Sequence, residues 1–230
     1  AYLIVAVTVF NTKPADQTCK GMELIINDSI DHGFITQKEV LRLLNSKKLS
    51  PIGKKMGDIN TRLLEDELSK HPLIENVECY RTPGRKIGIE VTQRLPLLRV
   101  MAANGDNYYI DSKGKVMPIP NSSAHVAVVT GSVDRDFATK ELYKLGIFLQ
   151  NHPLWEAQIE QINVTPAKEL ELVPRVGEHI IFLGKPGDYE EKFERLKIFY
   201  KKGLNQVGWN KYSRISLEFS NQIICTKKEK

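Results

Sequence analysis

Between Met22 and Arg94 the hydrophobic positions follow strand and helix periodicities in turn. Thr36 and Glu39 form a capping box, which marks the start of a helix, and Asn60 is a typical N-cap for another. The predicted elements are, in order, a strand at 22–27, a helix after Thr36, a helix after Asn60, and strands at 74–82 and 86–94. We expect two helices packed on one face of a three-stranded sheet, an α+β unit of β-α-α-β-β order.

After Leu95-Pro96 the pattern changes to short strands separated by turns such as Asn104-Gly105. Strands are predicted at 97–101, 108–110, 115–117, 126–129, 158–164, 169–173, 179–183, 215–219 and 222–226, with helices at 137–149 and 188–202. Asp188 and Glu191 are expected to cap the longer helix and Gly203 to end it. The second part is therefore expected to be a mostly antiparallel β domain with flanking helices.

The first ten residues carry no charge, and the polar run Asn11-Thr-Lys-Pro14 follows them. Ten helical residues extend about 15 Å, half of a hydrocarbon core of about 30 Å. The pattern favours the outer end of a transmembrane helix over a first β-strand or the remnant of a signal peptide. We therefore predict three parts: a transmembrane-helix remnant and linker at 1–20, an α+β domain at 21–94 and a β domain at 95–230.

Composition excludes several classes of protein. The chain has 230 residues, 41% hydrophobic and 27% charged, which is a globular balance rather than a disordered one. The net charge of +5 is modest, and acidic residues are interspersed among the basic ones, which argues against nucleic-acid binding. The three cysteines and five histidines are isolated, so no metal site and no cofactor are predicted.

One short motif has a catalytic precedent. Ser112-Lys-Gly-Lys115 matches the S-x-x-K pattern, whose chemistry needs the serine and lysine one helical turn apart. Asp111 and Gly114 favour a β-turn at this position instead. No catalytic residues are predicted, and the chain is expected not to be an enzyme.

Several segments together carry a family resemblance. Residues 21–94 resemble a POTRA domain. The runs His71-Pro-Leu-Ile-Glu-Asn-Val77, Ile89-Glu-Val-Thr-Gln-Arg94-Leu-Pro96 and Tyr109-Ile-Asp111-Ser-Lys-Gly114-Lys-Val-Met-Pro118 are similar to those of the bacterial cell-division family FtsQ/DivIB. Two departures stand out: Gln93 replaces a glutamate, and Ser216-Leu217-Glu218-Phe219 replaces the D-x-R-Y of the family.

The resemblance implies a non-catalytic divisome adaptor. It would be anchored in the inner membrane by one helix, with most of the chain in the periplasm. The implied partners are FtsB and FtsL, together with FtsK and the FtsW/FtsI pair. Two other functions stay open: a POTRA-containing component of envelope assembly or secretion, and an envelope enzyme that acts on peptidoglycan.

The end of the chain is the predicted partner-binding site. Alternation at 215–219 directs Ile215, Leu217 and Phe219 to the core. The last strand has neither proline nor charge before Lys227, so as an edge strand it would accept another strand. The resemblance implies that FtsB adds a strand here by β-augmentation. The alternative is an interior strand, paired on both sides. The candidate residues are Phe219, Ser220, Asn221, Gln222, Ile223, Ile224, Cys225 and Thr226.

Overall fold

A computed structural model of the chain describes residues 16–27, 34–120 and 123–229. The apolar segment at 1–10, predicted to be part of a transmembrane helix, lies outside the described residues. Within the described ranges, no helix combines the length and the apolar character needed to cross a membrane. The chain divides into two compact units, the first formed mainly by residues up to Arg94 and the second mainly by residues from Leu95 onward.

The first unit has the predicted β-α-α-β-β order. Its elements are β1 (Gly21–Asn27), α1 (Gln37–Ser46), α2 (Thr61–Leu68), β2 (Ile74–Arg81) and β3 (Lys86–Gln93). The three strands form a sheet in the order β1-β3-β2, with β1 parallel and β2 antiparallel to β3. The predicted fold of this unit is confirmed.

Both predicted helix caps are present. The Glu39 amide donates to Thr36 Oγ1 at 3.2 Å and the Thr36 amide donates to Glu39 Oε2 at 2.8 Å. Asn60 Oδ1 accepts from the Leu63 amide at 3.1 Å. These bonds satisfy backbone donors that have no partner within the helix. Each helix then packs its buried leucines against the sheet.

The residues just before β1 belong to the folded unit rather than to a linker. Cys19 is buried in the core, and its amide donates to the Lys54 carbonyl at 2.8 Å. The Lys20 amide donates to the Arg85 carbonyl at 2.8 Å. The expectation of a linker as far as Lys20 is therefore wrong for this stretch, because long-range backbone pairing fixes it.

The second unit contains nine strands and three helical segments among the described residues. The strands are β4 (Pro96–Ala102), β5 (Asn107–Asp111), β6 (Val116–Met117), β7 (Val128–Gly131), β8 (Ile159–Val164), β9 (Leu170–Pro174), β10 (Ile180–Gly184), β11 (Tyr212–Ser216) and β12 (Ile224–Lys227). They form one sheet in the order β12-β11-β10-β9-β8-β7-β4-β5-β6. Five neighbouring pairs are antiparallel and three are parallel, so the prediction of a mostly antiparallel domain is confirmed.

The helical segments cover one face of this sheet. They are α3 at 135–150, α4 (Pro153–Gln158) and α5 at 189–207; α3 and α5 each contain a π-helical turn, at Ala138–Leu142 and Tyr200–Leu204. One register row of apolar residues runs across the sheet and faces them: Val100, Val129, Ile162, Leu172, Ile181, Ile215 and Cys225. These residues share one hydrophobic core with Leu145, Phe193 and Leu196 of the helices.

Two predictions for α5 are wrong. Asp188 precedes the helix with a left-handed φ of 52° and makes no side-chain capping bond. Gly203 does not end the helix, because the π-helical turn carries the chain through it and on to Gly208 at φ 95°. Helix α4 was not predicted from the sequence.

Candidate partner-binding site

Strand β12 lies at one edge of the nine-stranded sheet, next to β11. The two strands are antiparallel, with Ile215 opposite Cys225 and Ser216 opposite Ile224. Among the described residues, no strand pairs with the other side of β12. The structure therefore contradicts the alternative of an interior strand. The free side of β12 presents backbone groups that another strand could bind.

The direction of these backbone groups follows from two contacts. The Lys228 amide donates to the Lys211 carbonyl at 3.1 Å, and Ser213 Oγ donates to the Thr226 carbonyl at 3.4 Å. Residues 226 and 228 thus direct their backbone groups toward β11. Because successive residues of a strand point their backbone groups to opposite sides, those of Cys225 and Lys227 point away from the sheet.

The predicted site residues fall into two groups. Ile224, Cys225 and Thr226 lie in β12, whereas Phe219, Ser220, Asn221, Gln222 and Ile223 form the connection from β11. The strand begins two residues later than predicted and includes Lys227. Phe219 is 49% exposed rather than part of the core, because β11 ends at Ser216 and the alternation stops near Leu217.

Arg195 of α5 holds this connection in place. Its guanidinium donates to the carbonyls of Phe219, Gln222 at 3.2 Å and Leu217 at 3.1 Å. Its Nε lies 3.7 Å from Glu191 Oε1, one helical turn earlier. One side chain thus binds three carbonyls of the segment that leads into β12. Nothing in the sequence pattern indicates this role of Arg195, because its acceptors are backbone groups more than 20 residues away.

A groove runs beside the connection on the helical face of the sheet. Its volume is about 430 Å³, and its walls are α5 on one side and residues 221–223 on the other. Ile198, Phe199 and Ile223 supply apolar surface, and Lys202 and Arg195 supply positive charge. Ile198 is 47% exposed, so its side chain is accessible from the groove. The groove therefore combines apolar surface with positive charge.

The opposite face of β12 has a different character. Ile224 and Thr226 lie on this open face, in register with Ser216 and Arg214 of β11. Arg214 Nη1 donates to Glu171 Oε1 at 2.9 Å, and its guanidinium carbon lies 4.1 Å from the centre of the Phe182 ring. This cation–π contact and ion pair fix the polar surface next to the edge strand.

Buried polar contacts fix the position of α5. Lys192 Nζ donates to the Leu183 carbonyl at 3.0 Å, and burial lowers the pKa of this lysine. The hydroxyl oxygen of Tyr200 lies 2.8 Å from Nε2 of the buried His179. Desolvation lowers the pKa of His179, so the neutral ring is the favoured form. Trp155 packs against Phe193 with ring centres 4.9 Å apart.

The Ser112 motif forms a turn, as predicted. The Gly114 amide donates to the Asp111 carbonyl at 2.9 Å, and Gly114 has a φ of 75°. Asp111 Oδ1 accepts from the amides of Lys113 at 3.0 Å and Lys115 at 2.7 Å. The serine and lysine are therefore not on successive turns of a helix, which S-x-x-K chemistry requires. In the ranges that the structure describes, no cluster of three His, Cys, Asp or Glu side chains could bind a metal ion.

Two family models match the chain. The model described as "FtsQ/DivIB, C-terminal related" matches residues 95–226, which include the whole sheet up to Thr226. The chain belongs to the FtsQ/DivIB family. A model described as a POTRA-like domain matches residues 17–92, in agreement with the β-α-α-β-β topology. The predicted family is thereby confirmed.

Three curated relatives of the FtsQ/DivIB chain carry the name cell division protein FtsQ. The protein of Geotalea daltonii is 25% identical over 187 residues, 76% of this chain and 66% of its own length. That of Rhodothermus marinus is 25% identical, covering 75% of this chain and 67% of its own length. That of Myxococcus fulvus is 27% identical, covering 69% of this chain and 57% of its own length. The chain thus spans about two thirds or less of the length of these relatives.

Proposed function

We propose that the chain is a non-catalytic adaptor of the cell-division machinery, and that β12 binds a strand of a partner protein. The free edge of β12 carries this proposal, since its outward amides and carbonyls can extend the sheet by β-augmentation. Similarity to proteins named cell division protein FtsQ supports the cellular role.

The partner at this edge is FtsB, bound together with FtsL. A strand added to β12 brings alternate side chains over the groove beside α5, where Ile198 and Phe199 offer apolar surface. Lys202 and Arg195 favour carboxylates on the same face of the partner. We therefore expect a partner segment in which apolar and acidic residues alternate with residues that face the open side.

The chain is anchored in the inner membrane through a single helix that includes the apolar segment at 1–10, and both folded units lie in the periplasm. The absence of charge in that segment supports the anchor. Beyond FtsB and FtsL, the adaptor contacts FtsK and the FtsW/FtsI pair, which links early and late steps of septum formation.

Proline substitution tests the β12 interface. Lys227→Pro removes an amide that points away from the sheet, so FtsB affinity should fall at least roughly tenfold while the melting temperature changes little. Lys227→Ala keeps the amide and removes the same side chain, so it should bind nearly as well as the wild type. Thr226→Pro removes an amide directed at β11 and should lower stability and binding together. Affinity is measured by calorimetry with FtsB, and stability by thermal unfolding.

Two results would contradict the β12 interface. One is wild-type FtsB affinity in Lys227→Pro. A strand docked on β12 would lose the Lys227 amide as a donor and would meet the bulk of the proline ring, so its affinity should fall. The other is an equal loss in Lys227→Pro and Lys227→Ala, which would assign the effect to the charge of Lys227 rather than to its backbone.

A further inference from the structure

One end of the first unit concentrates positive charge. Three segments meet there: residues 16–20, 53–58 and 81–86, which we call the basic end. The bonds from the Cys19 amide to Lys54 and from the Lys20 amide to Arg85 join the first segment to the other two. Sequence-distant positive charges are thus brought onto one surface by backbone pairing.

The charge balance of the basic end is strongly positive. Its three segments contain the basic residues Lys20, Lys54, Lys55, Arg81, Arg85 and Lys86, and the acidic residues Asp16 and Asp58. Lys55 lies 3.9 Å from Asp16, and Lys86 lies 2.8 Å from Glu23 of β1. Lys20, Lys54 and Lys55 are exposed. The surface therefore presents several positive charges to solvent.

Arg81 is held in a fixed orientation at the basic end. Its Nε donates to the Met56 carbonyl at 3.1 Å and its Nη2 donates to the Ile59 carbonyl at 2.8 Å. These neutral acceptors orient the guanidinium without neutralising its charge. Beside it is a cavity of about 640 Å³, lined in part by Arg81, Arg85 and Thr82. A phosphate group there would meet fixed positive charge and hydrogen-bond donors.

The basic end is also the end at which the chain enters the unit. Asp16 follows the last residue of the apolar segment, Phe10, by six positions. A fully extended chain covers about 3.6 Å per residue, so the two are at most about 20 Å apart. This step rests on the membrane anchor in the proposed function, which would put the basic end within about 20 Å of the bilayer surface.

We propose that the basic end binds the anionic phospholipid headgroups of the membrane in which the chain is anchored. Lys and Arg side chains near an anionic bilayer are attracted to it, and the attraction declines within a Debye length of about 10 Å at 0.1 M salt. Headgroup phosphates fit the chemistry of the surface, and the short tether keeps it within reach of them. Binding restricts the orientation of the first unit relative to the bilayer.

Vesicle binding tests this proposal with the whole chain. The probes are vesicles of phosphatidylcholine alone and vesicles containing one third phosphatidylglycerol. In the double variant Lys54→Gln/Lys55→Gln, affinity for the anionic vesicles at low salt should fall roughly 25-fold, at roughly fivefold for each lysine near the surface. The matched control is Lys38→Gln/Lys70→Gln, which removes the same charge from exposed sites of the same unit. It should bind nearly as well as the wild type.

The control lysines lie away from the basic end. Lys38 follows the residues that bond to the end of β3, where the Ile35 amide donates to Gln93 Oε1 at 3.0 Å. Lys70 precedes the segment whose Leu73 carbonyl accepts from the Arg94 amide at 3.0 Å. That end of β3 is separated from Lys86 by the length of the strand, about 20 Å.

Three results would overturn the proposal: equal losses in the two double variants, unchanged binding in Lys54→Gln/Lys55→Gln, or equal binding of the wild type to neutral and anionic vesicles. The last would assign the affinity to the apolar segment alone. Failure of the anchor itself gives a different result, because the wild type and both variants would then appear in the soluble fraction of cells. The proposal is supported if only Lys54→Gln/Lys55→Gln loses affinity for the anionic vesicles, and if the difference between this variant and the wild type disappears in 1 M salt.

Discussion

Replacement of Arg195 by methionine should loosen the connection that leads into β12. The guanidinium donates to three carbonyls, at Leu217, Phe219 and Gln222. Water can reach the carbonyls of the exposed Phe219 and Gln222 in the variant, whereas Leu217 is fully buried. Because a charged donor contributes about 1.5–3 kcal/mol per net hydrogen bond and rehydration recovers part of it, we expect a loss of about 2–4 kcal/mol.

This loss should be visible in two measurements. The melting temperature of the second unit should decrease by about 5–15 °C, at about 2–4 °C per kcal/mol for a domain of this size. Hydrogen exchange in the peptide 218–228 should become faster than in the central strands, because the edge hairpin can open locally. Methionine preserves the apolar stem of the side chain, so the groove beside α5 keeps most of its packing.

Lys197→Met is the matched control for Arg195→Met. Lys197 lies on the same helix, is partly exposed, and pairs with Glu194 at 3.1 Å. Such surface pairs contribute about 0–1 kcal/mol, so this variant should melt within about 2 °C of the wild type. Equal destabilisation by Arg195→Met and Lys197→Met would refute the reasoning, as would unchanged exchange at 218–228 in Arg195→Met.

Two further predictions concern the turn at Gly114 and the buried His179 of the second unit. Gly114→Val should lower the unfolding free energy by about 1–3 kcal/mol, because φ is 75° and a Cβ would lie 3.3 Å from the Tyr143 ring. The unfolding free energy of Ser112→Ala should stay within about 0.5 kcal/mol of the wild type. A division defect in a stable Ser112→Ala variant would contradict the non-catalytic role of this serine. Burial lowers the pKa of His179 in the folded protein, so its contribution to stability is fully present above about pH 6.5 and decreases as pH falls toward the folded pKa. Between pH 7 and 5 the unfolding free energy should therefore depend less steeply on pH in His179→Gln than in the wild type. An unchanged pH dependence in this variant would exclude the histidine as the source.

The sequence by itself determined the elements that depend on neighbouring residues. The capping box of Thr36 and Glu39 joins residues three apart, and the turn from Asp111 to Gly114 joins residues of one tight loop. Such contacts need no tertiary context, so their residue types and spacing are enough to predict them. The strand and helix order of the first unit followed for the same reason, because each hydrophobic face could be identified from its own period.

Only the tertiary structure decided the order of the large sheet and therefore its free edge. Strand β11 pairs in parallel with β10 and antiparallel with β12, and a period-two pattern does not specify which strand will lie beside it. The exposure of Phe219 shows the same limit: the alternation continues in the sequence, but β11 ends at Ser216. The backbone that follows is bound instead by Arg195 of α5, at the carbonyls of Leu217 and Phe219. Pairing and long-range hydrogen bonds connect residues far apart in the chain, so the free energies that select them are absent from any local segment.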